Sequence, residues 1–214
     1  MKKAILFDLD GTLVNSLYDL CDGANYMLNK LGMPNRTMEE IRTFVGNGID
    51  MLVRRAVCSE NYDFKEAMEY FKEYYNENLC RRTRPYDGII NALCVLSEKG
   101  FKLGVVTNKP QYAAEKIVKH FFDGYFDIVI GADTETRRKK PEPDGVDTAL
   151  GIIGVTRSEA IYVGDSEVDI ETAKRADMDF IGAAWGFRNE EIFADEKWFV
   201  RNAWELISLC CNFL

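Results

Sequence analysis

The sequence predicts an α/β protein, a Rossmann-like parallel sheet core carrying an inserted all-helical domain. Three observations predict it. Short apolar runs alternate with helix-like stretches along most of the chain, the alternation lapses once over residues 16–82, and carboxylates, a hydroxyl, an amide and a lysine follow the runs on their carboxyl side. Alternating strands and helices build a parallel sheet covered on both faces. In such sheets the residues beyond the carboxyl ends of the strands line the ligand crevice.

The first run, residues 3–7, is rich in Ile and Phe as a buried strand should be, and the chain turns at Gly11. Further strands are expected at 102–107, 128–131, 160–163 and 180–183. The intervening helices are expected at 88–99, closed by Gly100, at 111–121, at 146–150, closed by Gly151, and at 168–176. A last helix over 202–214 would pack on the sheet. Residues 16–82 show only helical periodicity: Leu17, Leu20, Ala24, Leu28 and Leu31 share one face, and two capping boxes follow, Thr37-x-x-Glu40 and Asp63-x-x-Glu66. A third helix of this region, 64–79, carries Phe64, Tyr70, Phe71, Tyr74 and Tyr75, expected as core of the insert. The expected division is therefore 1–15 with 83–214 as the core, and 16–82 as the helical domain.

Composition bounds the chemistry. With 214 residues the chain suits one domain bearing a smaller insert, and 47% apolar residues supply a full core. Its 35 acidic and 27 basic residues give a net charge of −8, which argues against a general nucleic-acid surface. The six cysteines, Cys21, Cys58, Cys80, Cys94, Cys210 and Cys211, form no C-x-x-C pair and read as reduced thiols. Asp8 ends the apolar run after Met1-Lys2-Lys3 too early for a signal peptide, and no stretch of 18 apolar residues occurs, so a cytoplasmic protein without a membrane partner is expected. The single histidine, His120, excludes multi-histidine zinc sites and paired-histidine chemistry. At an expected helix end it is better placed to complement the dipole.

What remains is carboxylate chemistry. The first strand ends Asp8-Leu9-Asp10-Gly11-Thr12, the second Thr107-Asn108-Lys109, and a later one Gly164-Asp165-Ser166-Glu167-Val168-Asp169, with Lys139-Lys140-Pro141-Glu142-Pro143 between them. A phosphomonoester dianion repels a carboxylate nucleophile. A site using Asp therefore needs a divalent cation, a lysine and backbone N–H groups to neutralise and hold the phosphoryl oxygens. Mg²⁺ prefers oxygen ligands and takes one or two carboxylates. Asp8 would attack phosphorus, and Asp10 would protonate the leaving oxygen and then deprotonate water. Gly11 would let the backbone turn tightly toward the phosphate. Taken singly these residues have plainer duties: Asp-Gly is a common turn, Thr107 and Asn108 could cap the next helix, and Asp169 would be favoured in a first helical turn regardless of metal.

Asp8-x-Asp10-Gly11-Thr12-Leu13, Val106-Thr107-Asn108, Lys140-Pro141-x-Pro143 and Gly164-Asp165-x-x-x-Asp169, in this order, resemble the four motifs of the haloacid dehalogenase superfamily. The resemblance implies Asp8 as nucleophile, Asp10 as acid/base and carbonyl ligand, and Asp165 and Asp169 as metal ligands with Asp8. It also implies that Gly11, Thr12, Thr107, Asn108 and Lys140 bind phosphate, with Mg²⁺ as cofactor and residues 16–82 as the cap. Asp10 with Asp165 points to phosphate chemistry rather than dehalogenation. Within the cap, Phe44-Val45-Gly46-Asn47-Gly48 and Arg54-Arg55-Ala56 are similar to the cap loop of phosphoglycolate phosphatases, implying substrate contacts from Gly46, Asn47, Gly48 and Arg55. A β-phosphoglucomutase-like mutase is disfavoured because its relay histidine has no counterpart here. The first motif departs at Asn15, where Asp is usual, and any effect should fall on the core–cap hinge. The expected activity is hydrolysis of a small phosphorylated metabolite, 2-phosphoglycolate foremost, with a phosphosugar, pyrophosphate or nucleotide monophosphate open. The expected state is a monomer or weak homodimer. A non-enzymatic phospho-receiver is the competing class.

Overall fold

The structure is a computed structural model and describes residues 1–133 and 137–213. The chain begins with β1 (Ala4–Phe7) and the two-residue strand β2 (Val14–Asn15), then runs through four helices, α1 (Leu17–Lys30), α2 (Met38–Phe44), α3 (Ile49–Val57) and α4 (Phe64–Asn78). It returns through β3 (Arg84–Pro85) to α5 (Ile89–Glu98), β4 (Lys102–Pro110), α6 (Gln111–Phe121), β5 (Ile128–Ala132) and α7 (Asp144–Ile153). The remainder is β6 (Ala160–Gly164), α8 (Glu167–Arg175), β7 (Asp179–Ala183), β8 (Phe199–Val200) and α9 (Ala203–Cys211).

All four residues of β1 are buried, so this strand has cover on both faces. It sits inside a six-stranded sheet of order β5-β4-β1-β6-β7-β8, parallel throughout, with Phe7 opposite Val105 of β4 and Val163 of β6. The period of two then sorts side chains between two cores. Ile5 and Phe7 join the core that includes Leu93 of α5, Ile117 of α6 and Leu206 of α9, and Ala4 and Leu6 join Val146 and Leu150 of α7 and Ala173 of α8. Strand order reverses about β1. The carboxyl ends of β1, β4 and β6 therefore flank the switch point, where open α/β sheets place their ligands.

The α/β class stands as the sequence predicts. Three strands it does not predict, β2, β3 and β8, are two residues long and exist through their pairing partners. β2 and β3 form an antiparallel ribbon with Val14 opposite Pro85 and Asn15 opposite Arg84, so the helical insert leaves and rejoins the core side by side. Buried Asp19 of α1 ties this junction, accepting from Arg82 N at 2.9 Å and from Thr83 N and Oγ1 at 2.8 and 2.7 Å. Asn15 lies in the ribbon, its Oδ1 accepting from Leu17 N at 3.3 Å.

The insert has four helices where the sequence suggested three. Ile49, Leu52, Val53 and Ala56 are buried at helical spacing and make α3, a stretch expected only as the continuation of a loop. α1 buries Leu17, Leu20, Ala24 and Met27 and approaches α4 at Gly23, where a Cβ would stand 3.3 Å from the Phe71 ring. The Thr37 box closes as expected. Asp63 does cap α4, but Glu66 accepts from the Tyr70 hydroxyl at 2.9 Å instead of completing a box. The last helix ends at Cys211, and Leu214 of the expected range lies outside the described residues. His120 is exposed in the last turn of α6, edge-on to Phe121. All six cysteines are free, and among the described residues no helix is long and apolar enough to cross a membrane.

Candidate active site

The carboxyl ends of β1 and β6 bring Asp8 and Asp165 together with Asp169 from the first turn of α8. One carboxylate oxygen from each lies within 4.8 Å of the others, and all three residues are buried. Lys140, on the segment before α7, enters from the side: its Nζ is 2.9 Å from Asp8 Oδ1 and 2.7 Å from Asp169 Oδ1, and donates to the Tyr162 hydroxyl at 3.0 Å. Asp8 Oδ1 has this ion pair but no hydrogen bond of good geometry. Burial pushes the Asp8 carboxyl up to about 6 against the opposing pull of Lys140. Asp165 is held well above the usual carboxylate range by burial and by the charges of Asp169 and Asp8. Burial would lower the Lys140 ammonium, but Asp169 and Asp8 outweigh it and raise it. Three buried carboxylates, two of them paired with one ammonium, make an oxygen-rich, electron-rich cluster, a donor set that could hold a hard divalent cation.

Asp165 is gripped from four sides. Thr12 Oγ1 donates to its Oδ1 at 3.2 Å and Phe187 N to its Oδ2 at 2.7 Å. Gly11, at φ +92°, and Gly186 press so close that a Cβ on either would fall 2.3 Å from an Asp165 side-chain atom. Gly11 N donates to Val14 O at 2.9 Å. Gly11 and Thr12, expected to bind phosphate, stand against Asp165. The Gly11 amide closes its own turn, the Thr12 hydroxyl is engaged by Asp165, and the two residues orient a carboxylate.

Asp10 stands apart from the carboxylate trio. Its side chain accepts from Lys109 Nζ at 2.9 and 3.0 Å and from Ser16 Oγ at 2.5 Å. Lys109 is buried and also donates to the Tyr75 hydroxyl of α4 at 2.6 Å. Burial alone would lower Lys109, but Asp10 and Tyr75 hold it raised. Asp169 likewise commits both oxygens within the protein, Oδ1 to Lys140 and Oδ2 to Ser166 N and Oγ at 3.1 and 2.6 Å. It thereby starts α8 and steers Lys140 at once.

A narrow cleft lies over Asp8 and Asp10. Its floor is Asp8, Asp10, Thr107, Asn108 and Lys109 from the core. Its roof comes from the insert: the side chains of Leu20, Val45, Ile49 and Leu52, with Gly46 and Gly48 between them. Thr107 Oγ1 accepts from Lys109 N at 3.3 Å, which leaves its O–H to donate elsewhere, and α6 is entered through Pro110 rather than capped by Thr107 or Asn108. Asn108, expected to bind phosphate, lines the cleft, and its side chain is engaged by the protein: Oδ1 accepts from Lys140 N at 2.8 Å while Nδ2 donates to Lys140 O and Gly46 O, both at 3.0 Å, so it fixes the lysine and the insert loop. Asn47 is absent from the lining, and Arg55 is turned away to donate to Phe44 O at 2.9 Å.

The site also uses residues that sequence reasoning passed over: Lys109, Tyr75, Tyr162 and the segment 185–188. Lys109 was legible, because in a strand that runs on to Pro110 it falls on the same face as Thr107. The 185–188 segment carried no such signal. Trp185 Nε1 donates to Thr12 O at 2.9 Å, Phe187 holds Asp165, and Arg188 crosses to the insert. Those contacts depend on where β7 lies in the sheet.

Comparison with known proteins agrees with this geometry. Residues 5–183 match the family model of the haloacid dehalogenase-like hydrolases. A phosphoglycolate phosphatase of Aquifex aeolicus is 37% identical over 186 residues, 86% of each chain, and one of Pseudomonas fluorescens is 32% identical over 92% of this chain and 75% of its own. A crystal structure described as a predicted phosphoglycolate phosphatase from Haemophilus somnus superposes with a TM-score of 0.90 at 32% identity, covering 98% of both chains.

Proposed function

The chain belongs to the haloacid dehalogenase-like hydrolase family, in its phosphoglycolate phosphatase-like branch, and from that premise we propose a Mg²⁺-dependent phosphatase that hydrolyses a small phosphomonoester, 2-phosphoglycolate foremost, through an aspartyl-phosphate on Asp8. That it is a phosphoric monoester hydrolase follows from relatives matched over most of its length. The observation that carries the mechanism is the meeting of Asp8, Asp165 and Asp169 beside Lys140, with Asp8 and Asp10 lining the floor of the cleft.

In this mechanism an Asp8 oxygen attacks phosphorus and the leaving oxygen departs in line, taking a proton from Asp10. Asp10 then accepts a proton from the water that attacks the acyl phosphate, releasing phosphate and regenerating Asp8. Lys109 and Ser16 hold Asp10 at its station by three contacts of 3.0 Å or less. Lys140 lies against Asp8 and screens its charge from the incoming dianion, and the Thr107 hydroxyl donates to a phosphoryl oxygen. The surplus of negative charge over Lys140 alone fits Mg²⁺, which Asp8, the Asp10 carbonyl and Asp165 would hold, with Asp169 behind them. Bound there, the ion would neutralise the substrate dianion and polarise the phosphorus–oxygen bonds.

The α1–α4 insert, residues 16–82, acts as the cap. Its apolar roof over a charged floor excludes bulk water during attack and offers little to a polyhydroxylated substrate. That preference favours a short substrate over a phosphosugar. The test is phosphate release from 2-phosphoglycolate, phosphosugars, pyrophosphate and nucleoside monophosphates, each with MgCl₂ and with EDTA. The mechanism expects Mg²⁺-dependent release with 2-phosphoglycolate at the highest kcat/KM. Undiminished turnover in EDTA would remove the metal, and a higher kcat/KM for a phosphosugar would remove the substrate.

A further inference from the structure

Core and insert are tied on the α4 side, where Lys109 Nζ meets the Tyr75 hydroxyl and Tyr112 and Lys116 bond Asn76, and by three ties at the segment 42–50. Asn108 reaches Gly46 O, Lys139 Nζ lies 2.8 Å from Asp50 Oδ2, and Arg188 makes the third and largest. The Arg188 guanidinium donates through Nη1 to Arg42 O and through Nη2 to Val45 O, each at 2.9 Å, and through Nε to Glu167 Oε2 at 3.0 Å. Arg42 and Val45 mark the carboxyl end of α2, where helix carbonyls lack intrahelical partners and the dipole favours a cation. Two arginines serve this end. Arg55 takes Phe44 O from within the insert and would travel with it, whereas Arg188 belongs to the core and its bonds break if the insert lifts.

The position of Arg188 in its own segment gives this tie a second meaning. Phe187, one residue before it, donates to Asp165, Gly186 packs against the same carboxylate, and Trp185 holds the Thr12 carbonyl beyond the nucleophile. Glu167, two residues after Asp165, holds the other edge of the guanidinium. A single four-residue segment thus touches the nucleophile loop, the acidic cluster and the cleft roof at Val45. We propose that Arg188 is a positioning residue that latches the insert's 42–48 segment over the cleft and keys that closure to the Asp165 side of the site. The proposal rests on the reading of residues 16–82 as a cap. It adds a core residue that holds the 42–48 side of the cap.

The experiment compares wild type, R188M and R188K by amide hydrogen exchange of residues 42–48, in MgCl₂ with inorganic phosphate, and by steady-state kinetics on 2-phosphoglycolate and p-nitrophenyl phosphate. R188M is expected to exchange the 42–48 amides about tenfold faster, and to raise KM for both substrates about tenfold while kcat stays within about threefold. R188K keeps the charge but not the three-way fork, and should fall between. Unchanged exchange and unchanged KM in R188M would overturn the proposal. So would a loss of kcat with exchange unchanged, since that places Arg188 with Asp165 alone. If R188M does not fold, R188K carries the same comparison, and wild-type behaviour in both readouts overturns it. The exchange arm needs no turnover, so it remains decisive even if the phosphatase reading fails on every substrate.

Discussion

The floor and roof of the cleft are built on opposite principles. The floor comes from the core and is charged. Much of it is fixed by partners in the core, as when Asn108 exchanges hydrogen bonds with the Lys140 backbone and Lys109 holds both oxygens of Asp10. The roof comes from the insert and presents alkyl side chains and two glycines, with its own arginine, Arg55, turned away. A preorganised floor stabilises developing charge without reorganising during the reaction, whereas an apolar roof excludes water and leaves the transferring atoms alone. The proposed mechanism gives chemistry to the floor and admission to the roof, so floor substitutions should act on kcat and roof substitutions on KM.

Asp8→Asn should have the largest effect. Phosphate release should fall at least about a thousandfold with the circular dichroism spectrum unchanged, because the nucleophile is lost while its shape is kept. Residual turnover above that level would break the assignment of chemistry to the floor. Lys140→Met removes the ammonium from among three buried carboxylates and should cost about 3–5 kcal/mol in urea unfolding, as breaking a buried pair does. If the trio accepts a cation, the loss should be smaller in MgCl₂ than in EDTA; an equal loss in both would count against the metal site.

Gly48→Ala tests the roof. Gly48 has φ +86°, and an added Cβ would stand 3.1 Å from Asn108 O, so the loop must shift by a few tenths of an ångström. Strain of about 1–2 kcal/mol should appear as a several-fold rise in KM with kcat nearly preserved. A fall in kcat at constant KM would erase the contrast between the two surfaces. Thr37→Ala, in the capping box of α2, should have the smallest effect, about 1 kcal/mol of stability with kinetics unchanged, measured by thermal unfolding and phosphate release in parallel.

The same contrast governs what was legible in the sequence. Asp8, Thr107 and Asp165 could be placed because a strand's carboxyl end in a parallel sheet is a predictable location, and the strands that carry them are apolar enough to identify. The roof's helices could be recognised by periodicity, though α3 was read as loop because Gly46 and Gly48 precede it. How the roof sits on the floor had no local signature. Nor did the contacts of Gly11, Thr12 and Asn108, whose partners Asp165 and Lys140 are distant in sequence and adjacent only once β1, β4 and β6 lie side by side. β2, β3 and β8 are too short for any period to register, and they exist through pairing.

The ribbon of β2 and β3 makes everything between Asn15 and Arg84 the loop of a single β-hairpin. Paired strands stand about 4.8 Å apart, a gap that a two-residue Asn-Gly turn closes. The sheet order β5-β4-β1-β6-β7-β8 places no demand on what hangs from that hairpin. The strands of the sheet are in this sense paired without the insert, which meets them through side chains such as Tyr75 on Lys109.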